Sequence, residues 1–333
     1  MDAEERVTGL MGRAMAQDAE LPLLVEHAVF ETPDILVLDL VAASGADLPA
    51  WDPGAHIDLV LASGLVRQYS LCGDPADRGR YRVAVQREAA GRGGSIEIHN
   101  LAMQGSSVAT RGPRNHFALV EAPCYLFVAG GIGVTPMLPM IRAAERGGRP
   151  WRLVYGGRSR ATMGFLSDIG GRRGGETDLL PQDECGLPDL HALLSGLDDQ
   201  TLVYGCGPGA MLTALEAAAA SLGLSERLHI ERFAAPEITP HHDMDRPFEV
   251  ELRLSGLVLQ VPADRSLGSV LQDADIPVTF SCQEGYCGSC ECLVIEGTPD
   301  HRDTILNESE KAEGRIMMVC VGRAHSPRLV LEL

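Results

Sequence analysis

Up to about residue 118 the chain alternates short apolar runs with turn residues. Residues 34–43 (DILVLDLVAA), 56–61 (HIDLVL), 67–75 (RQYSLCGDP) and 80–88 (RYRVAVQRE) keep a two-residue period, and Asp52-Pro53-Gly54 marks a turn between them. That pattern predicts an antiparallel β-barrel over residues 21–118. From 119 to 233 the texture changes. CYLFVAG (124–130), WRLVYGG (151–157) and TLVYGCG (201–207) read as buried strands, and the first and last lead into helical stretches at 131–148 and 208–223. Strands alternating with helices predict a parallel, doubly wound α/β sheet. Residues 234–247 hold three prolines and little apolar content, which predicts a linker. Beyond it, 248–262 reads as a hairpin and 266–275 as a short helix, the opening of an α+β domain over 248–333. Residues 1–20 are expected to be a helical extension with no assignable role.

The bulk numbers agree with a multidomain globular chain: 333 residues, 45% of them apolar and 22% charged. A net charge of −18 argues against nucleic acid as a partner, because a phosphate backbone would be repelled. Residues 248–333 carry 14 Asp and Glu against 7 Lys and Arg, so this end could dock on a basic surface or simply be well solvated. The 20 uncharged residues from 122 to 141 are long enough to cross a bilayer, but three prolines and three glycines among them suit a strand, a tight loop and a helix start better. No membrane association is expected. The acidic N-terminus lacks the features of a secretory signal, and the nine cysteines are too sparse for a disulfide scaffold. Both point to a cytoplasmic protein with reduced thiols. The histidines, including the His241-His242 pair, are expected to face solvent.

Four cysteines change the picture. Cys282, Cys287, Cys290 and Cys320 stand as C-x4-C-x2-C…C, with 29 residues in the last gap. This is the ligand spacing of a plant-type [2Fe–2S] ferredoxin, in which four thiolates hold two irons. Gly285, Gly288 and Ser289 keep the loop slim enough to wrap a cluster. The alternatives are a zinc site, though only Cys287 and Cys290 form the C-x2-C knuckle zinc ribbons use in pairs, or core cysteines. Cys292 reads as packing rather than as a fifth ligand.

Three further constellations are weaker alone. Arg67-Gln68-Tyr69-Ser70 closes a barrel strand and could be no more than a charged strand end. Gly91, Gly93, Gly94 and Ser95 precede a short helix; they could let a phosphate approach free N–H groups, or form a plain turn with Ser95 as N-cap. Gly130-Gly131-Ile132-Gly133-Val134-Thr135-Pro136 follows one strand and Gly205-Cys206-Gly207-Pro208 another, as paired nucleotide loops would. Arg158-Ser159-Arg160 could contact an adenosine ribose or its 2′-phosphate, or lie free on the surface.

In order and register, RQYSLCGDP, GRGGS, GGIGVTPM, YGCGP and CQEGYCGSC resemble the phthalate dioxygenase reductase and vanillate O-demethylase reductase group of the ferredoxin–NADP reductase superfamily. The resemblance covers about residues 25–333 and implies a barrel that binds FMN, an α/β domain that binds NADH, and a β-grasp ferredoxin domain. It implies that Arg67 grips the flavin phosphate, that Tyr69 packs on the isoalloxazine, and that Ser70 contacts its N5 edge. Gln68, Gly93, Gly94 and Ser95 would complete the flavin site. Gln86 stands where relatives commonly carry lysine near the flavin. Gly131, Gly133, Thr135, Pro136, Cys206, Gly207 and Pro208 would hold the nicotinamide, with Cys206 and Ser70 at the hydride site. Arg158 and Ser159 would meet the adenosine end, and Phe233 would lie near the flavin–cluster junction. The implied reaction passes a hydride from NADH to flavin, then single electrons through the [2Fe–2S] centre. The implied acceptor is a terminal oxygenase of Rieske type. A cytochrome P450 would use the same machinery, and a passive electron carrier or redox sensor is the alternative of another class.

Overall fold

The computed structural model describes residues 20–101, 103–172, 174–234 and 245–333. The predicted N-terminal extension, most of the predicted linker and the His241-His242 pair therefore lie outside the described residues. The chain divides into two compact units, with the boundary in sequence between Arg232 and Phe233.

The first unit begins with six strands, β1 (Leu21–Thr32), β2 (Ile35–Ala42), β3 (His56–Val60), β4 (Val66–Ser70), β5 (Tyr81–Gln86) and β6 (Ser107–Arg114), in the order β4-β3-β6-β1-β2-β5. All neighbours are antiparallel. The two edges meet where Leu71 bridges Val83, which rolls the sheet into a barrel. Alternation sorts the side chains: Leu36, Leu38 and Leu40 join Ile57 and Leu59 in one core. On the opposite face of β2, Asp39 receives two hydrogen bonds from Arg82 of β5, at 2.7 and 2.8 Å. A short helix, α1 (Gly94–Leu101), follows β5 and buries Ile98 in the barrel core.

The second half of this unit is a parallel sheet. Its elements are β7 (Cys124–Gly130), α2 (Met137–Arg146), β8 (Trp151–Gly157), α3 (Leu166–Gly170), β9 (Gly175–Pro181), α4 (Gln182–Cys185), α5 (Leu190–Ser195), β10 (Thr201–Cys206), α6 (Gly209–Ser221) and β11 (Leu228–Glu231). Strand order is β11-β10-β7-β8-β9, with every pairing parallel. β7 is apolar on both faces, as a central parallel strand must be. Tyr125, Phe127 and Ala129 enter one core, and Leu126 and Val128 enter another. The order of connection reverses between β7 and β10, and ligands of such sheets bind at that switch point, beyond the strands' carboxyl ends.

The second unit contains β12 (Phe248–Leu252), β13 (Leu257–Val261), α7 (Leu267–Asp273), β14 (Glu291–Glu296), β15 (Pro299–Asp300), α8 (Glu308–Glu313), β16 (Ile316–Met318), β17 (Arg323–Ala324) and β18 (Arg328–Leu331). Its mixed sheet runs β13-β12-β18-β14-β16, with β12 and β18 parallel. Helix α7 starts at Ser266, whose hydroxyl accepts the Ser269 N–H at 3.1 Å. It buries Leu267, Val270 and Leu271 in the core that also takes Cys290 and Cys320. These three folds are the barrel, the doubly wound sheet and the ferredoxin-like domain expected from the sequence.

The expectation for the histidines needs correction. His56 is 5% exposed. It sits on β3 with its ring stacked on His116, beside the buried Arg114–Asp58 ion pair, and burial and those cations hold it well below the usual histidine range. Period-2 alternation places His56 and Asp58 on the β3 face opposite Ile57 and Leu59, and the strand is covered on both faces.

Candidate functional site

β4 carries the RQYS residues and ends at Ser70, which reaches a residue of the parallel sheet. The Tyr69 ring packs against the barrel core, and burial pushes its hydroxyl pKa up. Arg67 Nη1 donates to its neighbour's Val66 carbonyl at 2.8 Å, whereas its Nη2 is buried and has no hydrogen-bond partner among the described residues. The arginine stem lies against the first residue of α1: a Cβ on Gly94 would come 2.7 Å from Arg67 Cγ and 2.8 Å from Nε. A buried guanidinium nitrogen with unused donor capacity, next to the N–H end of a helix, fits a phosphate group. Arg67 and the Gly94 end of α1 would hold the phosphate of a flavin. Ser95 is not the N-cap that the plain-turn alternative would make it. The helix starts at Gly94, and the Ser95 hydroxyl accepts the Glu88 N–H at 3.0 Å, which ties the helix to the end of the preceding loop. Gln86 ends β5, paired with Ile35.

Ser70 ends β4, and its hydroxyl donates to Glu231 Oε2 at 3.2 Å. The Cys206 thiol lies 4.0 Å from the same oxygen. Ser70, Cys206 and Glu231 come from three places far apart in sequence, and β10–β11 pairing sets Cys206 opposite Glu231. The carboxylate faces two buried residues, although part of the Glu231 residue reaches solvent. Burial raises its pKa to about 8, with the Ser70 hydrogen bond opposing the shift. The Cys206 thiol is pushed well above the usual range, first by burial and then by Glu231. At neutral pH the trio is therefore a hydroxyl, a thiol and a carboxyl that keeps its proton, which is an uncharged, hydrogen-bonding patch. Sequence reading found Ser70 and Cys206 and passed over Glu231. The usable signal was its position, one residue past the apolar part of LHIE, at the carboxyl end of the strand beside β10.

The two glycine loops meet at the switch point. After Gly130 the chain makes a tight turn at Gly131–Val134. Thr135 is buried and donates to the Ile132 carbonyl at 2.9 Å, and Pro136 leads into α2. Gly133 is required by close approach, since a Cβ there would lie 2.3 Å from the Cys206 carbonyl oxygen. Gly133→Ala is accordingly expected to push the two loops apart and raise KM for pyridine nucleotide at least tenfold (about 1.4 kcal/mol), read by steady-state kinetics; an unchanged KM would detach the loop from nucleotide binding. Gly207 and Pro208 lead from β10 to α6.

At the carboxyl end of β8, Ser159 and Thr162 cap a short turn reciprocally, so Ser159 has a local structural role. Arg160 Nε is engaged by both carboxylate oxygens of Glu184, at 2.9 and 3.1 Å. The backbone N–H of Asp183 donates to the Arg158 carbonyl at 3.2 Å, so the β8 and β9 loops stand side by side. Phe233 is 37% exposed and lies just past the division of the chain.

In the second unit Cys282, Cys287, Cys290 and Cys320 are all at most 7% exposed. The thiol of Cys282 is within hydrogen-bonding reach of those of Cys287 and Cys320, and Cys320 is within reach of Cys290. Cys287 also meets the Ser289 hydroxyl at 3.3 Å, and Cys282 accepts the Glu284 N–H at 3.3 Å. Gly285 has φ +74°, and a Cβ there would strike Val321 at 2.7 Å. The loop can close only with glycine at this place. Among the described residues no three Cys, His, Asp or Glu side chains converge on a single ion position. A diiron cluster asks instead for two thiolates at each iron, and four converging thiols with N–H and hydroxyl groups aimed at sulfur fit it. Cys292, also buried, meets the Leu293 carbonyl at 3.5 Å and the Glu332 backbone N–H, and packs in the core.

A barrel with a buried guanidinium nitrogen beside a helix start, a doubly wound sheet whose switch point meets it, and a buried four-thiol loop define the class of modular flavin and iron–sulfur reductases. Residues 250–325 match the family model described as the 2Fe-2S iron-sulfur cluster binding domain. The phenoxybenzoate dioxygenase subunit beta of Ectopseudomonas oleovorans is 41% identical over 323 residues, 96% of this chain and 99% of that protein. The solved phthalate dioxygenase reductase, a modular structure for electron transfer from pyridine nucleotides to [2Fe-2S], is 35% identical, with TM-score 0.68 and coverage of 95% and 98%. An intact type IV self-sufficient cytochrome P450 monooxygenase matches at 39% identity and TM-score 0.88; this chain covers 41% of that larger protein, and the match takes in 94% of this chain. The chain belongs to the phthalate dioxygenase reductase-like family with a C-terminal plant-type [2Fe–2S] domain. It is an NAD(P)H-dependent reductase component of an oxygenase system, a flavoprotein with a ferredoxin domain. Among the described residues no helix is long and apolar enough to cross a membrane.

Proposed function

We propose that the chain takes hydride from NADH onto FMN and delivers electrons one at a time through its [2Fe–2S] centre to a Rieske-type oxygenase in the cytoplasm. The observation that carries the reading is the meeting of Ser70, Cys206 and Glu231 where the barrel adjoins the switch point of the parallel sheet. A bound flavin would supply the chemistry that converts a two-electron hydride into single electrons. The chain's residues hold and shield the reactants. Arg67 and α1 anchor phosphate, the Ser70–Glu231–Cys206 trio lines the reacting edge with uncharged hydrogen-bonding groups, and the Gly130–Pro136 and Cys206–Pro208 loops support the nicotinamide. No side chain is needed as an acid–base catalyst of hydrolytic type.

Anaerobic mixing with NADH tests this directly. Rapid flavin bleaching followed by a cluster signal in electron paramagnetic resonance is expected. A protein that NADH leaves unbleached would be a passive carrier or sensor, and the proposal would fall. FMN rather than FAD is checked by extracting the cofactor.

NADH is favoured over NADPH by the Glu184 grip on Arg160, which occupies a cation that a 2′-phosphate would want. The pair is exposed and so worth about 1 kcal/mol at most. Glu184→Gln is therefore expected to raise the NADPH-to-NADH ratio of kcat/KM by about threefold to fivefold. A ratio that stays put would place the 2′ end of the nucleotide elsewhere.

A cytochrome P450 as acceptor is the second reading, supported by the self-sufficient monooxygenase whose reductase portion matches this chain with TM-score 0.88. Reconstitution with each class of purified oxygenase, scored by product formed per NADH consumed, separates the two.

A further inference from the structure

Helix α2 leaves the Gly130–Pro136 loop and carries two arginines that reach beyond its own sheet. Arg142 Nη1 donates to the carbonyl oxygens of Gly73, at 2.6 Å, and Cys72, at 3.3 Å. One turn later Arg146 pairs with Asp74 at 2.5 Å, an exposed contact of little weight by itself. The two carbonyls belong to the turn that begins directly after Ser70, and that turn is fixed to the barrel. The Leu71 N–H donates to the Ala55 carbonyl at 2.8 Å and the Cys72 N–H to the Arg82 carbonyl at 2.9 Å. The Cys72 side chain is buried in the same core as Val134 and Met137, so barrel and sheet are packed together at this point. The Arg142 guanidinium is half-buried among Asp168, Asp74 and Arg172, so it is held in place rather than swinging in solvent.

These contacts close a ring. On one side Ser70 reaches Cys206 through Glu231. On the other, Ser70 is joined by its own turn to Arg142, by α2 to the Gly130–Pro136 loop, and by the Gly133 contact to Cys206 again. The ring encloses the place where the two reactants would face each other. We propose that Arg142 is a positioning residue for hydride transfer: its clamp on the Cys72–Gly73 carbonyls fixes the spacing between the Ser70 strand end and the nicotinamide loop. The inference rests on the reading of the site given under the proposed function. Its leverage comes from the steepness of such reactions, since reacting atoms must approach to about 3–3.5 Å and a misplacement of about 1 Å costs about a hundredfold.

The test compares holoprotein variants Arg142→Met, which leaves no buried unpaired charge, and Arg142→Lys, which keeps one donor within reach. In Arg142→Met, flavin bleaching at saturating NADH is expected to slow at least about tenfold while KM for NADH moves less than about threefold, with Arg142→Lys between it and the parent. A readout independent of turnover accompanies the rates. Amide hydrogen exchange at residues 71–74 and in the Gly130–Pro136 loop is expected to speed up, with strands β2 and β5 protected as before. Reduction of both chromophores by dithionite should be unaffected. If the bleaching rate per bound flavin stays at the parent value and only the melting temperature falls, Arg142 is a staple and the inference is overturned. A parent protein that NADH fails to bleach is a different result, recognisable without any variant, and it removes the underlying reading together with the inference.

Discussion

Cys287→Ser is expected to abolish electron delivery to the oxygenase while flavin reduction by NADH continues. Cys287 sits in the loop of the second unit, buried against Cys282 and Ser289, whereas every residue assigned to hydride transfer belongs to the first unit. The two units have separate cores, so damage to one leaves the packing of the other intact. Iron is held by thiolates, and Cys287 belongs to the buried set of four cysteines that would supply them. A serine hydroxyl is a far poorer iron ligand than a thiolate. Iron per chain and the dithionite-reduced resonance signal should fall to background, with delivery to an acceptor down about a hundredfold or more. NADH bleaching should stay near the parent rate. Cys292→Ser is the control, expected to keep the cluster because that thiol packs in the core and its hydrogen bonds go to the strand backbone, at Leu293 and Glu332. A normal cluster signal in Cys287→Ser would show that the ligand set is misassigned.

The separation of the two functions was legible in the sequence because each rests on a local signature. The cysteine loop, the RQYS strand end and the glycine loops are short runs whose geometry is set by neighbours in the chain. Strands with clean alternation, such as β2 and β5, and the continuously apolar β7 were equally readable. β1 and β6 were not. β1 is exposed over much of its length and breaks register twice against β2, and β6 (SVATRGPR) is polar, with a proline inside it. β9 opens with Gly-Glu-Thr-Asp as an edge strand of the parallel sheet and carries too few apolar residues to show a period. The same reasoning explains the site. Glu231 and Arg142 meet partners 161 and about 70 residues away, and no local pattern encodes such a meeting. His56 shows the reverse error, since a polar residue on an alternating strand was assigned to solvent although both faces of that strand are covered.

Glu231 carries the second large expectation, because its carboxyl keeps a proton that an ordinary glutamate has lost. With the folded pKa at about 8 against 4.5 for the free side chain, the folded protein alone holds this proton between those pH values. The stabilising contribution is therefore whole below pH 4.5 and drains away as pH climbs to about 8. Glu231→Gln should remove that slope, so the melting temperature of the variant gains on the parent as pH rises from 5 to 8, within the window set by 4.5 and about 8. Chemistry should follow the same titration. Hydride arrival places negative charge beside Ser70 and Glu231, and an ionised carboxylate there opposes it. Flavin bleaching in the parent is expected to slow as pH passes through about 8, and Glu231→Gln, a fixed neutral group, to flatten the profile. Ser70→Ala acts on the same spot differently. It removes the hydroxyl that donates to Glu231 at 3.2 Å and that would face the flavin edge, and bleaching should slow about tenfold to a hundredfold with the cluster spectrum unchanged. It also removes the one contact that lowers the Glu231 pKa, so the residual profile should shift to higher pH. A profile that moves downward in Ser70→Ala, or one that stays steep in Glu231→Gln, would assign the titration to another group and dissolve the trio as the hydride site.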